Sequence, residues 1–196
     1  MVLGARPQPV ATYADLEALP SNVIGEIVGG RLIASPRPSL RHAWISSVLG
    51  GVIGPPLSFG RTGPGGWIIL DEPELHLGSD VVVPDLAGWR RERMPTVPDL
   101  AYCEVPPDWI CEVLSPSTSR LDRGEKLAIY RRERVGHVWL LSPQDQTLEV
   151  MRLTPDGFLL VAVHGSPAIV RAEPFELVET DLGLILGEPT DTEPVP

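Results

Sequence analysis

Two acids and one lysine stand out by their surroundings. Asp85 follows Pro84 at the end of a valine-rich run, and Glu112 lies inside the apolar run WICEVL at 109–114. A carboxylate buried without a partner costs several kcal/mol, so each acid must be paired, hydrogen-bonded or bound to a metal. On neighbouring strands the two would form an all-oxygen site suited to Mg²⁺ or Mn²⁺ rather than zinc. Lys126 belongs to the next predicted helix. A divalent ion held by two acids, with an ammonium beside it, can acidify a water, aim it at phosphorus and offset the charge that develops. That is the equipment of phosphodiester hydrolysis.

The elements that must position these groups follow from local signals. Thr12 to Asp15 has capping-box spacing and opens a short helix reaching Leu19, closed by Pro20. Val23–Val28 and Arg31–Ala34 flank Gly29-Gly30 and form a hairpin with Glu26 on its first strand. From Leu40 to Ile53, Trp44, Ile45, Val48, Leu49 and Val52 recur at helical spacing and predict a core-facing helix ended by Gly54-Pro55-Pro56. Trp67–Leu70, Glu74–Leu77, Val81–Trp89 and Trp109–Leu114 are β-prone runs between turn residues. A helix from Ser117 to Arg134 is expected to turn Leu127, Tyr130 and Ile129 inward and to stop at Gly136. Strands at His137–Leu141, Thr147–Leu153 and Phe158–Val163 follow, the last two as a closing hairpin. This order gives an α/β or α+β domain with a mixed central sheet flanked by helices and a hairpin at each end. The strand–helix–strand unit from Trp109 to Leu141 predicts two parallel strands joined by a right-handed crossover.

Composition bounds the setting. With 43% hydrophobic residues in 196, the chain can bury one sizeable core, so residues 1–186 are expected to form a single domain. The acidic, proline-rich 187–196 is expected to fray. Cys103 and Cys111 form neither a disulfide framework nor a CxxC pair, which suits a reducing cytoplasm. MVLGARPQPV at 1–10 lacks an apolar stretch long enough for a signal peptide, so none is expected, and no apolar run approaches the roughly 18 residues of a membrane span. The net charge of −10 argues against a surface that grips nucleic acid everywhere. The charge is uneven: nine of the 16 cations fall between Arg90 and Arg134, whereas 135–196 carries two cations and ten acids. Fifteen of the cations are Arg and the only Lys is Lys126. A desolvated lysine can transfer protons near neutral pH where arginine cannot, which makes this one retained lysine notable.

Pro84-Asp85, the run from Glu112 to Leu114 and the downstream Lys126 resemble the PD-(D/E)xK nuclease superfamily. The wider pattern VPDLA at 83–87, EVLSPST at 112–118, Asp122 with Lys126 and Tyr130, and GHVWL at 136–140 looks like a bacterial, restriction-endonuclease branch of it. The likeness spans roughly Tyr13 to Val163 and includes GEIVGGRLI at 25–33 and His42. It implies a restriction-endonuclease-like core and Mg²⁺- or Mn²⁺-dependent cleavage of DNA. Asp85 and Glu112 would hold the metal with a carbonyl of the Glu112 strand, that of Val113. Lys126 would position or deprotonate the attacking water or stabilise the phosphorane charge. Glu26 is either a third acid at the site or an exposed strand residue, and Tyr130 either packs beneath the site or touches substrate. The pattern departs in one place: the superfamily lysine lies two residues after the acid, on the same strand face, where this chain has Leu114. Lys126 is the displaced replacement that this branch implies.

Plainer readings stand beside these. Asp85 after proline suits a turn, Glu112 could pair with an arginine, and Lys126 could be a surface lysine bonded to Asp122 at i−4. Glu74 and His76 share a strand face that is more often a solvated edge than a metal site. His42 fits a capping or packing role. The RRER runs at 90–93 and 131–134 could contact phosphates or form solvated faces. No Walker or GxGxxG loop is present, so no nucleotide cofactor is expected, and Ser115, Ser117, Thr118 and Ser119 lack the partners of a hydrolase triad. A homodimer is expected because cutting both strands of a duplex is simplest with two-fold symmetry. The rival to a nuclease is a catalytically inactive module of the same fold that binds nucleic acid or a partner protein. Asp85 and Glu112 together with Lys126 inward would favour the enzyme. An arginine on Glu112 with Lys126 outward would favour the rival.

Overall fold

The computed structural model describes residues 10–187. The proposed frayed tail, from residue 188, and the leading segment through residue 9 lie outside the described residues. Helix α1 (Tyr13–Glu17) starts on the expected box: the Thr12 hydroxyl accepts from the Asp15 N–H and Asp15 accepts from the Thr12 N–H. Strands β1 (Val23–Val28) and β2 (Arg31–Pro36) pair antiparallel across Gly29 and Gly30, both at positive φ (58° and 74°), as a tight hairpin turn requires.

Helix α2 (Leu40–Ser58) is capped by Ser39 and runs five residues beyond the expected stop, through Pro55 and Pro56. Ile45, Leu49, Ile53 and Leu57 recur every fourth residue and are buried, and this packing outweighs the donor that each proline removes. Trp44, expected on the core face, is 42% exposed, because it lies one residue off that stripe. Ile53→Val is therefore expected to cost about 0.5–1.5 kcal/mol in urea unfolding. Leu40→Gln, at a fully solvated position of the same helix, should stay within about 0.5 kcal/mol.

The strands that follow are β3 (Trp67–Asp71), β4 (Glu74–Leu77), β5 (Asp80–Val82), β6 (Leu86–Arg90), β7 (Tyr102–Cys103) and β8 (Trp109–Val113). The run expected as one strand over Val81–Trp89 is two strands in two sheets, separated by Val83-Pro84-Asp85. Pro84 has no N–H to give a ladder, so the chain leaves one sheet there and enters the other. Asp85 stands at that crossing.

After β8 the expected single helix divides into a short α3 (Ser119–Leu121), a π-helical turn over Asp122–Lys126 and α4 (Leu127–Arg132). Strands β9 (His137–Ser142), β10 (Thr147–Thr154) and β11 (Gly157–Gly165), a β12 (Ile169–Val170) and β13 (Thr180–Asp181) pair, and helix α5 (Leu182–Leu186) complete the described chain. One mixed sheet runs in the order β2-β1-β5-β4-β7 and the other in the order β11-β10-β9-β8-β6-β3. In the second sheet β8 and β9 are the parallel pair, with Glu112 opposite Leu140, as the crossover predicts.

Two apolar cores lie on opposite faces of this six-stranded sheet. Trp109, Cys111 and Val113 of β8 face α2 and an aromatic group of Trp67, Trp139 and Phe175. Ile110 and Leu114 face Leu75, Trp89 and Tyr130 on the other side. The strand's period of two places Glu112 with this second set. Among the described residues no helix is long and apolar enough to cross a membrane.

Candidate active site

Residues from five parts of the chain meet around one cavity of about 270 Å³: Glu26 of β1, His42 of α2, Asp85 between the sheets, Glu112 and Val113 of β8, and Asp122 and Lys126 of the π turn. Lys126 points inward and is 3% exposed. Its ammonium lies 2.8 Å from Glu112 Oε1, 3.1 Å from Glu26 Oε1 and 3.6 Å from Asp122 Oδ1. Asp122 and Lys126, four residues apart on the π turn, are both buried and share the face turned to the cavity. Tyr130, one turn on, donates its hydroxyl to Glu112 Oε1 at 2.5 Å from beneath.

Asp85 is held at both oxygens. The Val113 N–H donates to Oδ2 at 2.7 Å, and His42 Nε2 lies 2.5 Å from Oδ1. Glu26 is fixed by the Val83 N–H at 2.9 Å and is buried, so the exposed alternative for it does not hold.

The charge in the cavity is lopsided: the carboxylates of Glu26, Asp85, Glu112 and Asp122 face Lys126, with Arg37 and His42 also in the lining. Burial pushes Glu112 up to about 8; Lys126 pulls it back, but Asp122 and Asp85 add to the rise. Asp122 is raised for the same first reason, burial, in spite of Lys126 and a bond from Thr118. Burial disfavours the Lys126 ammonium as well, yet Glu112, Tyr130, Glu26 and Asp122 outweigh it and hold the group well above its usual range. One ammonium is thus kept charged by acids that compete for it. Burial lowers His42, while the bond and charge of Asp85, with Glu72 and Asp122, raise it to a net value above that of free imidazole.

This donor set fits a hard divalent cation. It is built of carboxylates and a strand end, without cysteine, and it carries an excess of negative charge that a cation would relieve. Each acid also has protein partners, and among the described residues no three His, Cys, Asp or Glu side chains converge as a finished ligand cluster.

Other residues marked in the sequence go elsewhere. Glu74 and His76 bond each other at 2.8 Å on a sheet edge, where His76 stacks on Tyr102 and Glu74 accepts from Tyr13. Arg93 pairs with Asp108 and Arg132 with buried Asp80, so these members of the basic runs tie down structure. Among the described residues no arginine takes Glu112; its partners there are Lys126 and Tyr130. Two members of the cavity carried weaker signals. His42 looked like a capping or packing residue and instead meets Asp85, 43 positions away. Asp122 is legible as the i−4 neighbour of Lys126 and as a member of the family pattern, without its burial.

Fold and sequence comparisons agree on the class. A restriction-endonuclease-like nuclease fold is shared with the crystal structure of "a putative nuclease belonging to DUF820" from Anabaena variabilis, at a TM-score of 0.68 and 22% identity, over 90% of this chain and 97% of that one. Residues 10–183 match the model of the Uma2 family, described as "Putative restriction endonuclease", and the chain belongs to that family. Its class of function is nuclease-like, in a fold group that generally employs a divalent metal. No curated protein sequence matches the chain.

Proposed function

We propose that this protein is a Mg²⁺- or Mn²⁺-dependent endonuclease that hydrolyses DNA phosphodiester bonds. The observation that carries the reading is Lys126, buried against Glu112, Glu26 and Asp122 in the cavity that Asp85 also lines. A structural lysine has little reason to be buried among three acids beside a cleft, whereas a nuclease needs this set of charges at its scissile phosphate.

In this reading Asp85, Glu112 and the Val113 carbonyl hold the ion. When bound, it supplies Lewis acidity toward a phosphoryl oxygen and an acidified water. Lys126, kept as an ammonium, donates hydrogen bonds; it positions the water and offsets charge on the phosphorane rather than taking up a proton. Glu26 anchors that ammonium from β1, and Tyr130 orients Glu112. Arg37 at the cavity and Arg41 beside the adjoining one place cations where backbone phosphates would pass, which softens the repulsion from a −10 chain, whereas Arg123 beside them is paired with Glu149. A homodimer would present two such sites to the two strands of a duplex. Two free, buried cysteines suit a reducing cytoplasm.

A second reading, the non-cleaving module, is favoured by Leu114, which is buried in the core where the superfamily has its lysine. Calorimetry with Mg²⁺ and Mn²⁺, together with a cleavage assay on mixed DNA, decides between them. The wild type is expected to bind at millimolar metal and to cut, and Asp85→Ala to lose both. No binding by the wild type overturns the nuclease reading and leaves the module.

A further inference from the structure

We infer that His42 is a positioning residue for Asp85, setting the carboxylate in the orientation that receives the metal; this rests on the metal reading of the site above. Asp85 has no regular element of its own. It sits on the three-residue link between two sheets, and neither strand ladder fixes its side chain. Two contacts do so instead. The Val113 N–H takes Oδ2 from the strand that carries Glu112, and His42 takes Oδ1 from α2, on the opposite wall. A carboxylate bonded at both oxygens from different directions is fixed in plane as well as in place, and each oxygen keeps a second lone pair for another partner.

The scaffold around His42 suits this task. It is the third residue of α2, its own N–H is capped by Ser39, and its carbonyl accepts from Ser46, so its backbone is rigid. Its side chain is 14% exposed and forms part of the wall between the two neighbouring cavities. Capping uses only the backbone of this residue, and a leucine there would serve packing as well. The imidazole is needed only for the bond to Asp85. Partners that orient a ligating group from behind typically change metal affinity by about 10–100-fold when removed.

The test is calorimetric titration of the whole protein with Mg²⁺ and with Mn²⁺, without DNA, so that it does not depend on cleavage. His42→Ala is expected to weaken binding by about 10–100-fold. His42→Gln, whose amide nitrogen reaches the place of Nε2, should recover most of it, and His42→Asn, too short to reach Asp85, should not. The Gln and Asn pair carries the same comparison if the alanine variant fails to fold. Metal-free melting of that pair should differ much less than their affinities, since a purely structural role would move both together. Wild-type binding with Gln and Asn variants of equal affinity overturns the role of His42 alone. Absence of binding by the wild type overturns the metal reading and this inference with it.

Discussion

Lys126→Ala is expected to destabilise the protein by about 3–5 kcal/mol at neutral pH and to lower DNA cleavage by at least about 10²–10³-fold. The stability loss comes from what remains. Glu112, Glu26 and Asp122 each approach the ammonium within 3.6 Å and are almost wholly buried, so truncation leaves three acids with no cation among them. They can relieve this only by taking up protons or by admitting water into the space of the lost chain. Loss of the ammonium raises the folded-state affinity of Glu112 and Asp122 for protons, because Lys126 holds both down in the wild type; entering water offsets only part of that rise. An acid raised on folding stabilises below its unfolded pKa and loses that contribution as pH rises through the folded value. The deficit of the variant should therefore grow from pH 5 toward pH 8. Urea unfolding across that range, with cleavage followed in parallel, measures both parts. Lys126→Arg separates them, since a guanidinium keeps the charge but cannot reproduce a compact ammonium inside this cavity. It should recover part of the stability and little of the cleavage. A Lys126→Ala protein as stable as the wild type at pH 8 would show that the acids do not depend on this lysine.

The legible part of the site was the part whose cost shows locally. Glu112 declared itself because apolar neighbours on both sides force a strand acid into the interior. Lys126 declared itself as the single lysine among arginines, at helical distance from a strand. The hairpin, the α1 cap and the parallel β8–β9 pair followed from turn chemistry, capping spacing and crossover handedness. What stayed hidden was set by packing between distant segments. A run of apolar residues over Val81–Trp89 looks the same whether it lies in one sheet or passes from one to another, and only Pro84 hints at the break. The extension of α2 through Pro55 and Pro56 depends on the core stripe that holds it, which a local stop signal cannot anticipate. His42 gives no periodic signal at all, because its bond to Asp85 exists only once α2 has packed beside the crossing between sheets. The π turn is hidden for a similar reason: a helical pattern does not say where winding loosens.

Glu112→Gln is expected to raise the stability of the metal-free protein at pH 8.5–9 by about 1–3 kcal/mol, while Mg²⁺ binding and DNA cleavage fall to background. The amide oxygen can still accept from Tyr130 and Lys126, so the variant keeps both hydrogen bonds that Glu112 makes. It removes a charge that burial and two neighbouring acids disfavour, which is why Glu112 is raised to about 8 from 4.5. For such an acid the stabilising effect of folding is complete below pH 4.5 and is lost as pH rises through about 8. The advantage of the glutamine should accordingly be near zero at pH 4.5, grow through the neutral range and level off above pH 8. Thermal melts with and without Mg²⁺ give the second half of the comparison. The wild type, whose ionised Glu112 gains a cation, should rise in Tm with metal, most steeply at high pH, where fewer protons must be displaced. The glutamine variant should not respond. A variant less stable than the wild type at pH 9, or one that still gains Tm from Mg²⁺, would remove Glu112 from the metal site. The opposite result places the cost of the buried charge on the residue that the ion needs, as expected where a site gives up folding stability for catalysis.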